Sequence, residues 1–300
     1  MNRLATALGR LRLKSPVTVA SGTFDTGYFE LFDQSALGAY TTKTITLAPK
    51  AGNPPPRLYE TEAGLLNSIG LQNPGLKAWL NEDLPLLRDL LQIPLIVSFS
   101  GSSEDEFLRV LDGLELQEGI AGYEVNVSCP NVAKEGIAFG ADPDVVFSLA
   151  SSLAALTRRE LIFKLSPNVT DIAAIAQAAE AGGASSLALI NTLYGSAIDW
   201  KTGRFRISSF VCGYSGSGIK PVALALCHKV ALAVRIPILA LGGIHSWQDA
   251  LEFFWAGASA IALGTAFYSD PLAAVKLRQG LEDFLRENDL SLRDIIGKAR

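Results

Sequence analysis

The sequence predicts a closed parallel barrel of eight β/α units, a (β/α)8 TIM barrel with long insertions after strands 2 and 6. Three observations carry this. Eight short apolar runs recur along the 300 residues, rich in Val, Ile, Leu and Ala. Each run is near-continuous rather than alternating, as in strands covered on both faces. Each is followed by a segment with helical periodicity, several of them stopping at a glycine. Strand and helix in alternation imply a parallel sheet, and eight such units imply closure, since open doubly wound sheets usually have fewer.

The runs, in order, are VTVAS (17–21), AYTTKTI (39–45), LIVSFS (95–100), GYEVNVS (122–128), LIFKLS (161–166), SLALIN (186–191), IPILALGG (236–243) and AIALGTA (260–266). Helical patterns between them include 142–159, 171–182, 220–234 and 246–257. Two connections are longer than the rest, about 46–80 and 192–220. Both hold aromatic and apolar residues, which predicts ordered flaps over a site rather than disorder. The opening MNRLATALGRLRLKSPV reads either as a basic leader closing the barrel bottom or as a short membrane-surface helix. No linker, repeat or low-complexity segment divides the chain, so residues 1–300 are expected to form one barrel domain. Such a barrel needs about 250 residues, which leaves room for the insertions.

Composition excludes several classes. Apolar residues make up 49% and charged residues 19%, which suits a deeply buried sheet. Net charge is −4 with no basic block, so nucleic acid is not an expected partner. The longest uncharged run, Phe253 to Ser269, is interrupted by Gly257, Ser259, Gly264 and Thr265 and is too short to span a membrane. Three cysteines (Cys129, Cys212, Cys227) and two histidines offer neither a disulfide framework nor a metal cluster. Unpaired cysteines suit a reducing, cytoplasmic setting.

Barrel chemistry sits at the C-terminal ends of the strands, and the polar residues gather there. Ser21 follows the first run. Lys43 and Thr44 lie in the second, Ser98 and Ser100 in the third, and Asn126, Ser128 and Cys129 at the fourth. Lys164 and Ser166 end the fifth, Asn191 and Thr192 the sixth, Gly242-Gly243 the seventh and Gly264-Thr265 the eighth. A buried ammonium needs an anion, so Lys43 and Lys164 point to a bound anionic ligand. The other reading is a buried ion pair, for which Glu124 is the one carboxylate in the strand ends. Glycines closing the last two strands suit a phosphate held by backbone N–H groups. Pro130 ends the fourth run and leaves the Cys129 thiol at the mouth, among Asn126, Asn131 and the two lysines. Without a strand-end histidine, a proton acceptor is a better role for it than a Cys–His nucleophile. Cys212 and Cys227 read as structural, and His245 carries no assignment.

The motifs SGTF (21–24), KTIT (43–46), LLNSIGLQNPG (65–75), NVSCPNV (126–132), FKLSPNVTDI (163–172), LINTLYGSAID (189–199) and SGSGIKPVAL (215–224) span nearly the whole chain. With GNPPPRL (52–58), LGGI (241–244) and GTA (264–266), the sequence resembles the class 1 dihydroorotate dehydrogenases, nearest to the B type. The resemblance implies an FMN enzyme oxidising dihydroorotate to orotate in pyrimidine biosynthesis. It places FMN on Ser21, Lys43, Thr44, Asn126, Lys164, Ile190, Gly216, Gly242, Gly243, Gly264 and Thr265. It places substrate on Lys43, Asn67, Ser68, Ile69, Gly70, Leu71, Asn126, Asn131, Asn191 and Thr192. Cys129 matches the catalytic base, Lys43 serves flavin and developing charge, and Lys164 would sit near the flavin N1 and O2 edge.

For the B type the resemblance further implies a homodimer core, assembled as a heterotetramer with an FAD and iron–sulfur subunit that passes electrons to NAD. The N-terminal extension and serine base of the membrane-bound class 2 enzymes are not expected for this chain. Rival readings are an A-type homodimer using fumarate, a flavin-free phosphate-binding barrel, and a catalytically silent binding module. Two departures stand out. CGYSGSGIKP (212–221) replaces a common GGLSGPAIKP, which should loosen that turn, and NVAKEGIAFG (131–140) has one glycine where a pair is common, in a loop expected to cover the substrate.

Overall fold

A computed structural model describes residues 2–128 and 139–299. The chain opens with β1 (Thr6–Leu8) and β2 (Leu11–Leu13), followed by β3 (Val17–Val19) and β4 (Tyr40–Thr41). Then come β5 (Leu58–Thr61), β6 (Gly64–Asn67), α1 (Leu76–Asn81), α2 (Asp83–Leu90), β7 (Leu95–Phe99) and α3 (Glu104–Glu115). The middle holds β8 (Ile120–Asn126), α4 (Pro143–Leu156), β9 (Glu160–Lys164), α5 (Ile172–Ala181), β10 (Ser186–Leu189), β11 (Leu193–Gly195) and β12 (Cys212–Ser215). The rest is α6 (Lys220–Ala231), β13 (Ile238–Leu241), α7 (Trp247–Ala256), β14 (Ala260–Leu263), α8 (Ala266–Ser269), α9 (Ala273–Glu287) and α10 (Leu292–Ile295).

Eight parallel strands form one sheet in the order β3-β14-β13-β10-β9-β8-β7-β4. A parallel bridge from Thr18 to Ala39 and a 2.7 Å hydrogen bond from Gly38 N to Val17 O join its two ends. This is the eight-fold barrel expected from the apolar runs. The outward residues of β9, Leu161 and Phe163, pack in the large core under the helices. Its inward residue Ile162 packs with Ile96, Ala188, Leu239 and Ala260 inside the barrel. Alternation puts Lys164 on that inner face, two residues nearer the mouth. Helix starts follow side-chain caps: Asp142 on α4, Asp171 on α5 and a capping box from Ser246 on α7.

The basic leader is a β-hairpin, not a surface helix: β1 pairs antiparallel with β2. Leu8 and Leu13 plug the barrel interior and are fully buried, each contributing about 1.5–3 kcal/mol of transfer free energy. Glu160 at the start of β9 latches the hairpin, accepting from Arg10 N at 2.7 Å and from Ser186 Oγ at 2.6 Å.

The run 39–45 is not one regular strand. Thr42 N donates to Ile96 O and Ile45 N donates to Ser98 O, so three residues span two of the neighbouring strand. This bulge lets the consecutive Lys43 and Thr44 both face the barrel mouth, which simple alternation forbids. The long connections after β4 and β10 meet above the barrel. β5 and β6 form a hairpin from the first, and β11 and β12 come from the second. β12 pairs antiparallel with β6, setting Gly213 opposite Asn67, so the two flaps make one four-stranded sheet, β11-β12-β6-β5.

Candidate active site

A cavity of about 990 Å³ opens between the strand ends and the small sheet, at the upper end of the range for small-molecule sites. Every barrel strand except β7 lends it residues, either from the strand itself or from the turn after it. Ser21, Lys43, Thr44, Asn126 and Lys164 line it from the first half of the barrel. Ile190, Gly242, Gly243, Gly264 and Thr265 line it from the second, with Gly216 from the turn after β12. Asn67, Ser68, Ile69, Gly70 and Leu71 come from the first flap, and Asn191 and Thr192 from the second. Cys129, Asn131 and the loop through residue 138 lie outside the described residues.

Lys164 is 4% exposed, and its Nζ reaches Ser21 Oγ at 2.9 Å and Glu124 Oε1 at 3.3 Å. The two readings of this lysine therefore hold together: it forms a buried ion pair and still borders the cavity. Lys43 differs. Among the described residues its ammonium has no hydrogen-bond or carboxylate partner, and burial together with the Lys164 charge holds its pKa below the ordinary lysine value. Its stem lies so close to Gly22 (φ +76°) that a Cβ there would come within 2.7 Å of Lys43 Cδ.

Polar contacts run around the mouth. Ser98 Oγ donates to Glu124 Oε1 at 2.9 Å and is 2.9 Å from Thr44 Oγ1. Asn126 Nδ2 donates to Thr44 Oγ1 at 3.3 Å, while Asn126 Oδ1 accepts from Ser128 N at 3.2 Å and from Asn191 Nδ2 at 3.4 Å. Asn67 Nδ2 donates to Gly213 O at 3.3 Å, and Asn53 Nδ2 donates to Ser68 Oγ at 2.8 Å. Ser98 and Glu124 were noted at the strand ends but given no place in the cofactor or substrate site, and Asn53 carried no assignment. Nor did Asn168, which ties the second flap down by donating to Thr192 O at 2.9 Å and accepting from Tyr194 N at 2.9 Å. Asn168 belongs to the KLSPNV stretch, and a polar residue just beyond a barrel strand was the available signal.

The glycines at the last two strand ends have different causes. Gly242 and Gly243 have φ of +121° and +75°, and a Cβ would lie 2.6 Å from Ala223 Cβ or 2.7 Å from Lys220 Cβ. They are required by the close approach of α6. A Cβ at Gly264 would touch nothing closer than 3.5 Å, so the protein's own packing does not demand glycine there. Among the described residues the amides of Gly243, Gly264 and Thr265 donate to no backbone acceptor. Thr265 Oγ1 donates to Ser215 Oγ at 2.7 Å.

Cys212 borders the cavity, but its thiol donates to Ser209 O at 3.2 Å and burial raises its pKa. Cys227 is buried in α6 with its pKa pushed up to about 12. Neither is an activated nucleophile. The turn with the altered SGSG sequence is held by two bonds to Ala63 O, from Gly218 N at 2.8 Å and Ser217 Oγ at 3.2 Å. His245 borders the cavity, with its backbone N–H on Asp249 Oδ2 at 3.0 Å.

A family model described as dihydroorotate dehydrogenase matches residues 3–285. The chain is 43% identical over 300 residues to the protein of Thermoanaerobacter pseudethanolicus named dihydroorotate dehydrogenase B (NAD(+)), catalytic subunit, covering 99% of each chain. A protein of the same name from Geobacillus kaustophilus is 47% identical over 302 residues, covering 100% of this chain and 96% of its own. Another from Trichlorobacter lovleyi is 44% identical over 299 residues, covering 98% and 97%.

Proposed function

This chain belongs to the dihydroorotate dehydrogenase family, and from that premise we propose that it is the FMN-bearing catalytic subunit of an NAD-linked enzyme oxidising dihydroorotate to orotate. The observation that carries this is the convergence of Lys43, Lys164 and the amides of Asn67, Asn126 and Asn191 on one cavity, beside strand ends whose amides are free among the described residues.

The residues fit FMN. Gly264 leaves space that a Cβ would fill, and the amides of Gly243, Gly264 and Thr265 suit a phosphate. Ser21, Thr44, Asn126, Lys164, Ile190, Gly216 and Gly242 complete its binding site, with Lys43 shared between cofactor and substrate. Bound FMN supplies the hydride acceptor.

The chain's own residues do the rest. Asparagine side chains both donate and accept, so Asn67, Asn126, Asn131 and Asn191 match the alternating N–H and C=O groups of the substrate ring. Ser68, Ile69, Gly70, Leu71 and Thr192 shape the pocket around it. Lys43, with no anionic partner among the described residues, meets the negative charge that develops on the ligand. Cys129 takes the proton from C5 of dihydroorotate as the hydride leaves C6, so the substrate loses one proton and one hydride.

The route to NAD needs a partner. Three dispersed cysteines cannot ligate an iron–sulfur cluster, so the FAD and 2Fe–2S centre belong on a separate subunit bound to a homodimer of this chain. Exposed Ile198, Trp200, Phe205 and Phe210 give the second flap an apolar surface of the kind that protein partners cover. The names of the relatives, which specify NAD(+), favour this over fumarate use. No helix among the described residues is long and apolar enough to cross a membrane. The FMN-loaded chain alone should reduce an artificial dye with dihydroorotate but should not reduce NAD. Direct NAD reduction would contradict the partner, and no dye reduction would contradict the activity.

A further inference from the structure

We infer that Glu124 is a positioning residue that orients both halves of this site at once: the Lys164 ammonium through an ion pair, and the Asn126 amide through a hydroxyl relay. The inference rests on the reading of the cavity as an FMN and dihydroorotate site.

Glu124 is 1% exposed and lies on β8, two residues before Asn126 and on the same face of the strand. Its side chain borders no ligand space; it acts through its neighbours. Parallel pairing sets Glu124 opposite Ile162 and Asn126 opposite Lys164, so the carboxylate lies one inward layer below the Lys164 ammonium. There Oε1 receives both Lys164 Nζ and Ser98 Oγ, at 3.3 Å and 2.9 Å.

An ionised carboxylate only accepts hydrogen bonds, and a hydroxyl has one proton. Ser98 gives its proton to Glu124. The 2.9 Å contact between Ser98 and Thr44 must therefore carry the Thr44 proton. That leaves Thr44 Oγ1 with lone pairs only, facing Asn126 Nδ2 at 3.3 Å. Asn126 Oδ1 then faces Ser128 N and Asn191 Nδ2. One fixed acceptor thus sets the direction of each bond across four strands. Without it the Ser98 proton can turn to Thr44, and Thr44 then presents a donor to the Asn126 donor. The other branch is electrostatic: Glu124 offsets part of the Lys164 charge and holds Nζ beside Ser21.

The test compares FMN-loaded wild type with Glu124→Gln and Ser98→Ala, reading the midpoint potential of the bound flavin and the affinity for orotate. Glu124→Gln removes the charge and turns an acceptor-only group into one that also donates, so the direction of the Ser98 bond is no longer fixed. It should raise the potential by an amount equal to tenfold or more in the oxidised-to-reduced equilibrium, about 30 mV for a two-electron couple, and weaken orotate. Ser98→Ala cuts only the relay. It should weaken orotate by about tenfold while leaving the potential unshifted. A Glu124→Gln protein with unchanged or lowered potential overturns the ion-pair branch. Undiminished orotate affinity in Ser98→Ala overturns the relay. If Glu124→Gln purifies without FMN, Glu124→Asp should restore loading, and failure to do so overturns the inference. Wild type that binds neither FMN nor orotate contradicts the reading of the site itself, a result distinct from each of these.

Discussion

Lys164 Nζ lies 3.3 Å from Glu124 Oε1, and among the described residues no comparable carboxylate serves Lys43, which opens on the same cavity. Lys164 is thus a compensated ammonium, and Lys43 is an uncompensated one among the described residues. The uncompensated one weakens the ligand-free fold and becomes favourable only when an anion arrives.

Lys43→Met tests this. The substitution should raise the melting temperature of the ligand-free chain by about 2–4 °C per kcal/mol recovered, while turnover falls on the order of 100-fold or more. The pH dependence has a definite sign. The Lys43 pKa is lowered in the folded chain by burial and by Lys164, so the unfolded chain binds that proton more tightly. The penalty is full below the folded value and fades as pH rises towards the ordinary lysine value of about 10.4. Melting curves of ligand-free wild type should gain stability over that window relative to Lys43→Met, and an identical pH slope in the two would refute the point.

Cys129→Ala should retain FMN but lose turnover by about 10²–10⁴-fold at neutral pH, the usual worth of a positioned base. Because a thiol ordinarily ionises at about 8.5, wild-type turnover should climb on the alkaline side of neutral. Steady-state rates across pH check both, and turnover within a few-fold of wild type in the variant would remove Cys129 from the role.

Gly243→Ala should loosen FMN by at least about tenfold and cost about 1–3 kcal/mol of stability, because it forces a positive φ on a residue with a Cβ. The added carbon would meet Lys220 at the start of α6, 2.7 Å from its Cβ. Gly264→Ala makes the contrast, since its Cβ would meet only ordinary contacts in the protein. It should leave the melting temperature of the FMN-free chain unchanged yet weaken FMN, as measured by flavin fluorescence titration.

The altered turn predicts a coupled pair. A Cβ at Gly218 would overlap the Tyr214 hydroxyl, so Gly218→Ala alone should destabilise the chain. Tyr214→Leu removes that hydroxyl, and the double variant Tyr214→Leu/Gly218→Ala should recover most of the loss. A double-mutant cycle should give a coupling of about 0.5–3 kcal/mol, and additive effects would show that the two departures are independent.

The barrel was legible because its strands are buried on both sides and read as eight continuous apolar runs, and cavity-lining residues such as Lys43, Asn126 and Lys164 because polar side chains in such runs stand out, whereas Asn67 to Leu71, Ile190 and Gly216 were reached only through the family resemblance. What was not legible depends on register and long-range pairing. The pairing of β6 with β12 joins segments 146 residues apart (Asn67 and Gly213), and nothing local specifies it. The bulge at 42–45 hides in a sequence that reads as one strand. Glu124 was visible as a strand carboxylate, but its contact with Lys164 follows only from the β8–β9 register. The loosened turn expected from the missing proline is instead tied to Ala63 O, because Ser217 brings a hydroxyl that proline lacks.

The most direct measurement is the visible spectrum of the purified, FMN-loaded chain before and after anaerobic addition of dihydroorotate. The account predicts a flavin absorbance that bleaches as the substrate is oxidised. A flavin band that persists unchanged would contradict the assigned substrate, and failure to take up FMN at all would contradict the cofactor site.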